Sequence, residues 1–565
     1  MLLVLLPLAC GGAAYQLGLC PASAGEIYQS DGLDIRWDNT LRYTAAFRLS
    51  SYSNELVANP NADDGDRDFA PGLVSDRFDL LSELDIADGN YGLHASGDAW
   101  YDTVYHQRDA NDSPATFNPV SVPHNAFTRA VQTLDGKDAE LLDAFFYGSF
   151  DAGGIPVTFR VGRHTLLWGE SLYFAQNGIA AGQAPIDEIK ALSEPDAEAK
   201  EVYLPVGQTS LTMQPLTNLA LSFYYQFEWR GTRLPGVGSY FSDTDILDAG
   251  GERLIVQPGE FLYRGPNQTP PNSGQYGAAL HTTLGEVDYG LYVLRYNAKE
   301  PEVLIRPGYT LGPGGTITIT DPSIVNFADG RVGDYALLWP SGIDIYGASF
   351  SFYAGEAAIA GEISARRNMP LVGSLSAVPG AAGSGDYGGG GYGGGGFASI
   401  RPPQRLTNSP FVLVTPQIDY PRGDTLHAQF SAVTTFPRSG IWDSADLSAE
   451  IAMNELLDVT SAGYALDPTR DRFAAAIRAV FAPEYFQVLP SVDLSLPLSI
   501  GIGLIGRSSI DTSQNAGAGD MEAGVNLTFR TVWQASILFT HFVGSTQNQP
   551  FADRDFVSLS LQRTF

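Results

Sequence analysis

Residues 33–49 read LDIRWDNTLRYTAAFRL, and the alternation in that stretch decides the fold. Leu33, Ile35, Trp37, Leu41, Tyr43, Ala45, Phe47 and Leu49 take the odd positions. Asp34, Arg36, Asp38, Thr40, Arg42, Thr44 and Arg48 take the even ones. A period of two puts each set on its own face of an extended strand. Strands of soluble domains usually run to about 5–6 residues, whereas about 9–11 are enough to cross a bilayer at a tilt. This one is long enough to cross.

Working outward, segments of the same kind lie near 78–87, 91–102, 139–150, 155–166, 203–213, 217–229, 275–284, 286–297, 342–354, 356–366, 424–436, 443–453, 471–482, 485–496, 519–530, 532–542 and 554–565. The links between them alternate between long and short. Short turns fall at Asp88-Gly89-Asn90, Asp151 to Gly154, Gln214 to Asn218, Gly285, Gly355 and Pro483-Glu484, and the long links include 50–77, 103–138, 167–202, 230–274, 298–341 and 367–423. In hydrocarbon every backbone N–H and C=O must be paired within the protein, and a closed barrel does this without leaving an edge. The expectation is an all-β protein: a single transmembrane antiparallel β-barrel of about 18 strands (roughly 14–20), with long extracellular loops and a partly plugged lumen.

The two ends fit that picture. Residues 1–24 are apolar and finish in Ala22-Ser23-Ala24, the pattern of a cleaved export signal, which leaves residues 25–565 as the barrel. Both cysteines, Cys10 and Cys20, fall inside the signal, so no disulfide or thiolate chemistry is expected after cleavage. At the other end Val557, Leu559, Leu561 and the terminal Phe565 share one face of a final strand, a barrel-closing signal, with Arg563 out of place on that same face.

Composition narrows the function classes. Net charge is −30, the wrong sign for a nucleic-acid partner. Aromatic content of 11% argues against intrinsic disorder and suits aromatic girdles at the membrane rims. The stretch near 373–397, glycine from Gly388 to Gly396 except for Tyr392, reads as a surface loop. Acid runs such as Asp63-Asp64-Gly65-Asp66 read as solvated surface; acidic loops could bind Ca²⁺ or bridge lipopolysaccharide through divalent ions, with no ligand spacing that makes this specific. No nucleophile elbow, zinc-binding histidine pair or phosphate loop occurs, so neither a catalytic site nor a cofactor is expected.

Several stretches carry a family resemblance: FYGSFDAGGIPVTFRVGRHTLLWGES (146–171), GQAPID, AEAKEVYLPVGQ, FEWRGTRLPGVGSYFSDTDIL (227–247) and GEISARRNMPLV (361–372). They resemble a proteobacterial outer-membrane family catalogued as a domain of unknown function, DUF1302. That resemblance implies a bacterial outer-membrane location and envelope partners, a periplasmic carrier and an inner-membrane pump. It also implies traffic in hydrophobic, lipid-like or sterol-like molecules.

Parity puts Arg160 and His164 on the lumen face, at the entry to a long link rich in carboxylates. Arg160, Arg163, His164, Trp168, Glu170, Asp187 and Glu201 are the candidates for a lumen constriction, with 167–202 as the segment folded inward. Arg36, Arg42 and Arg48 are the candidates for a basic ladder along the lumen wall. The leading expectation is passive passage of a hydrophobic or amphipathic molecule. A plugged structural barrel that anchors an envelope complex is the alternative, and a hydrolase at the lumen rim is a third reading. Outer-membrane lipid, lipopolysaccharide and the barrel assembly machinery are the other expected partners.

Overall fold

The computed structural model describes residues 25–30, 32–194, 197–247, 249–311, 317–373, 397–401 and 417–565. The expected export signal at 1–24 and most of the expected glycine-rich surface loop, at 374–396, lie outside the described residues.

Eighteen antiparallel strands close into one barrel. In chain order they are β1 (Leu33–Arg48), β2 (Gly72–Asp88), β3 (Tyr91–Asp102), β4 (Lys137–Asp151), β5 (Pro156–His164) and β6 (Val206–Leu216). Next come β7 (Leu219–Gln226), β8 (Gln275–Leu284), β9 (Val287–Tyr296), β10 (Ile343–Ala354), β11 (Ala357–Pro370) and β12 (Arg422–Phe436). The last six are β13 (Ser444–Ser461), β14 (Phe473–Leu489), β15 (in two pieces, Val492–Ser495 and Leu498–Ile505), β16 (Gly519–Phe529), β17 (Trp533–Val543) and β18 (Phe556–Thr564). Each strand pairs with its sequence neighbour. β18 closes the ring on β1, with Thr40 opposite Thr564 and Arg48 opposite Phe556.

The barrel is inside-out relative to a soluble protein. On β1 the side chains of Trp37 and Leu41 are 49% and 47% exposed, while Arg42 and Thr44 are 1% and 0% exposed. Polar groups therefore face inward and apolar groups outward, around the whole ring: Leu93, Leu141, Phe223, Leu291, Ile363, Phe430 and Ile537 are all exposed. Such a surface is stable only against hydrocarbon. The closing strand follows the same rule. Leu559, Leu561 and Phe565 point out, Ser558, Ser560 and Gln562 are buried, and Val557 is half-buried. Arg563, out of place by parity, lies over the rings of Trp533 (5.1 Å) and Phe565 (5.6 Å). A cation over an aromatic face at the rim of the bilayer is a tolerated exception to an apolar surface.

One strand pair departs from the sequence reading. The expected turn at Pro483-Glu484 is part of β14, which runs on to Leu489, and the chain turns at Pro490-Ser491 with Ser491 at φ 64°. Pro483 is tolerated because it stands opposite Ala445, one residue from the start of β13. There the neighbouring ladder is ending and a missing donor costs little. The expected strand at 203–213 also shifts, because Tyr203 and Leu204 are buried loop residues and β6 starts at Val206.

On one rim the strands are joined by tight turns, and on the other by long loops. Those loops carry a six-stranded sheet in the order Gln417–Asp419, Phe397–Arg401, Glu302–Pro307, Arg331–Leu338, Glu260–Arg264 and Arg253–Gln257. Leu254, Leu262, Ile305, Tyr335 and Leu337 form its core.

Candidate functional site: the loop that crosses the barrel

The loop between β5 and β6 leaves the wall at His164, and between Glu170 and Ile179 its backbone groups have no strand ladder to pair with. A buried loop must find partners for these groups or be expelled to water. Here three side chains of the opposite wall supply them. Glu450 of β13 accepts the N–H groups of Leu172 (3.1 Å), Tyr173 (2.5 Å) and Phe174 (3.0 Å). Glu362 of β11 accepts those of Glu170 (2.6 Å) and Ile179 (2.8 Å). Arg366 of β11 donates to the carbonyls of Gln176 (3.0 Å), Asn177 (2.6 Å) and Gly178 (2.9 Å). Asn177 and His427 complete this contact through a 3.0 Å bond. Burial and the neighbouring Glu362 push the Glu170 carboxyl up to about 7.

The second half of the loop turns back to β1–β4. Two short helices, Glu188–Ser193 and Ala199–Val202, shape it. Asp187 caps the first by accepting the Lys190 N–H at 3.2 Å. The second starts in a reciprocal capping box between Glu198 and Glu201. These turns aim their charges at the wall. Arg42 of β1 is held by Glu201 (2.8 Å) and Glu194. Arg77 of β2 lies against Asp79 (2.7 Å) and Glu194 (3.1 Å). Lys190 pairs with Asp98 of β3. Arg233, from the loop after β7, bridges Asp187 and Glu140 of β4, each at 2.5 Å. Arg77 and Arg233 each lie 5.4 Å from the Trp100 ring. In a ring of eighteen, β11–β13 stand across from β2–β4, so the segment makes hydrogen bonds and ion pairs on both sides of the ring.

The predicted residues divide. Glu201 and Asp187 enter the charge network, but their partners are Arg42, Lys190 and Arg233. Trp168 is buried against Tyr224 (5.1 Å) and Tyr292 (6.1 Å), and Gln183 Oε1 accepts its backbone N–H at 2.6 Å. Glu170 joins the β11 contact. Arg160 and Arg163 stay out of the network: Arg160 lies over the Phe145 ring at 5.6 Å, and Arg163 pairs with Glu228 at 2.8 Å. Gly162 at φ 130° lies within β5, and the ladders to β4 and β6 continue through Arg163, whose odd position puts it on the face opposite Arg160 and His164. His164 meets Ser210 Oγ at 3.0 Å and the Gly162 carbonyl at 3.2 Å.

The three lumen arginines do not form one positive strip. Arg36 is exposed beside Asp34 (2.6 Å), Arg42 is neutralised as above, and Arg48 is buried between Asp66 (3.4 Å) and Asp553 (3.1 Å). Sequence reasoning missed Glu362, Arg366 and Glu450. Their signal was present as ionic residues on the inward parity of membrane strands, where a charge is retained only for a partner.

Beside the crossing loop, a small cavity is walled by Tyr296, Ile343 and Met369 on its apolar side, with Lys299, Arg366 and Glu300 among its polar groups. Lys299 is buried and donates to Gln275 Oε1 at 3.0 Å. Burial alone pushes its ammonium down to about 7.

The family model described as "Protein of unknown function (DUF1302)" matches residues 5–565, and the chain belongs to that family. No curated protein matches it. Among solved structures it is similar to OccAB4 of Acinetobacter baumannii, with 8% identity over 96% of this chain and 99% of that one and a TM-score of 0.41. OccAB1 of the same organism gives 8% identity over 96% and 98%, with a TM-score of 0.42. OccK8 (OprE) of Pseudomonas aeruginosa gives 11% identity over 94% and 98%, with a TM-score of 0.38.

Proposed function

We propose that this DUF1302 protein is an outer-membrane channel for passive passage of hydrophobic or amphipathic molecules, with the 165–205 loop as its constriction. The observation that carries this reading is the mixed lining beside the loop. Tyr296, Ile343 and Met369 line one small cavity of about 40 Å³ together with Lys299, Arg366 and Glu300, so apolar and charged surface meet at the edge of the loop. Lipid-like and sterol-like amphiphiles have that chemistry. Energy for directional transport would come from a periplasmic carrier and an inner-membrane pump. Lipopolysaccharide would face the long-loop rim, and the barrel assembly machinery would insert the chain. The test is uptake by proteoliposomes of a fluorescent fatty acid against a neutral sugar of similar size. Preference for the fatty acid is expected, and equal entry or none would defeat the reading.

A second reading, a closed structural barrel, draws support from the dense pairing of Arg42, Arg77, Lys190 and Arg233 with loop and wall carboxylates. Planar-bilayer recording separates the two, since a structural barrel stays silent even after the loop is trimmed. The hydrolase reading meets a specific obstacle. At the His164–Ser210 pair the second ring nitrogen faces the Gly162 carbonyl, where a triad needs a carboxylate to orient it.

A further inference from the structure

The acid run Asp63-Asp64-Gly65-Asp66, expected in solvent, is buried: Asp63 and Asp64 are 0% exposed. It opens a short helix, Asp64–Arg67, in the loop between β1 and β2. Asp66 is accounted for by Arg48 (3.4 Å) and Arg554 (2.7 Å). The other carboxylates are not. Asp63 Oδ2 accepts from Arg67 Nε at 2.5 Å, but its Oδ1 has no donor. Among the described residues, Asp64 receives the Asn111 side-chain amide and the Asn118 N–H, each at 3.2 Å, and no cation.

A separate loop, the one after β7, sends Asp245 into this pair. Its side chain is fully buried and is aimed by the backbone: Oδ2 accepts the N–H groups of Asp63 (2.8 Å) and Asp64 (3.2 Å). Its Oδ1 is buried and has no donor. One oxygen from each of Asp63, Asp64 and Asp245 lies within 4.8 Å of the others. The loop after β3 contributes Asn118, whose buried Oδ1 also lacks a donor, and Asn111, which ties Asp64 to Asp68 (2.8 Å). Among the described residues, the ion pair that reaches Asp63, Asp64 and Asp245 is Arg67 on Asp63.

Three carboxylates drawn from water against one guanidinium are strongly unfavourable as anions without another positive charge. The donor set is all oxygen, with no imidazole or thiolate, which selects a hard cation over zinc or copper. Ca²⁺ accepts oxygens at about 2.3–2.6 Å, so ligands on opposite sides of the ion stand up to about 5 Å apart, whereas Mg²⁺ holds several of its waters. Fully buried ligands leave little room for such waters. We propose that Asp63, Asp64 and Asp245 form a Ca²⁺ site that staples the β1–β2 loop to the loop after β7, with the Asn111–Asn118 segment locked against it. Because Asp66 is tied to Arg48 of β1, the ion fixes this part of the loop cap to the barrel wall.

The test uses the full-length protein in detergent, stripped with EDTA and titrated calorimetrically with CaCl₂ and, separately, MgCl₂. One Ca²⁺ per chain is expected, with Mg²⁺ at least about tenfold weaker and Asp245→Asn at least about tenfold weaker for Ca²⁺. Hydrogen exchange on the wild type should show Ca²⁺-dependent protection at residues 62–68 and 243–247. Absence of Ca²⁺ uptake by the stripped wild type overturns the site, as does unchanged uptake by a folded Asp245→Asn variant. If that variant does not fold, protection in the wild type decides: its presence at both segments supports the site and its absence refutes it.

Discussion

Replacing Glu450 by Gln tests whether the wall holds the crossing loop in place. The Glu450 carboxylate is 1% exposed and accepts three consecutive backbone N–H groups, from Leu172, Tyr173 and Phe174. A glutamine keeps the shape but offers one carbonyl oxygen, and its NH₂ must point at a donor. At least one N–H then loses its partner, and the remaining bonds lose their charge assistance. Each hydrogen bond to a charged group contributes about 1.5–3 kcal/mol, and a buried donor left unpaired costs about 1–3 kcal/mol. A net loss of about 2–4 kcal/mol shifts the attached-to-released equilibrium of the loop by roughly 30-fold to 1000-fold, at 1.4 kcal/mol per tenfold. The barrel ladder does not depend on this contact, so release is local and the global melting temperature stays within a few degrees. In planar bilayers the variant should show larger and noisier conductance, and hydrogen exchange should accelerate at residues 172–174. Wild-type conductance together with wild-type exchange at those amides would refute the anchoring role of Glu450.

Other perturbations probe separate features. Arg42→Met leaves Glu194 and Glu201 buried with less compensation and should destabilise the protein by about 3–5 kcal/mol, with part recovered on adding Glu194→Gln and Glu201→Gln, read by thermal melting in detergent. Leu41→Arg puts a charge on the outward face and should cost about 2–4 kcal/mol of folding into bilayers, whereas the exposed Arg36, on the inward parity, should tolerate lysine within about 0.5 kcal/mol. Lys299 has its folded-state pKa lowered to about 7, so above that pH the unfolded chain holds the extra proton. Stability from this group therefore rises as pH climbs from about 7 toward the ordinary lysine value near 10, and Lys299→Met should flatten the pH dependence of the urea-unfolding midpoint across that window.

How much was legible in the sequence varied with the range of the interaction. Strand existence and facing were readable because alternation is local: each residue of β1 declares its face two positions from the next of its kind. The β14–β15 turn misled because a proline signals the loss of one donor, and the cost of that loss depends on where the neighbouring strand ends. The constriction candidates show the same limit of a local signal. Parity puts His164 inward and Arg163 on the other face of β5, and the pairing of Arg163 with Glu228, 65 positions away, is not a local property.

The sequence by itself determined that this chain is a closed antiparallel barrel with polar residues inside, since backbone pairing in hydrocarbon and a period of two leave few other solutions. Only the tertiary structure decided which charges meet. Arg42 lies 152 and 159 positions from Glu194 and Glu201, and Asp63 lies 182 positions from Asp245. An acid run in a loop carries the same letters whether it sits in water or is buried around an ion. Burial, and with it the cost of an unpaired charge, is set by what the other loops bring to the same place.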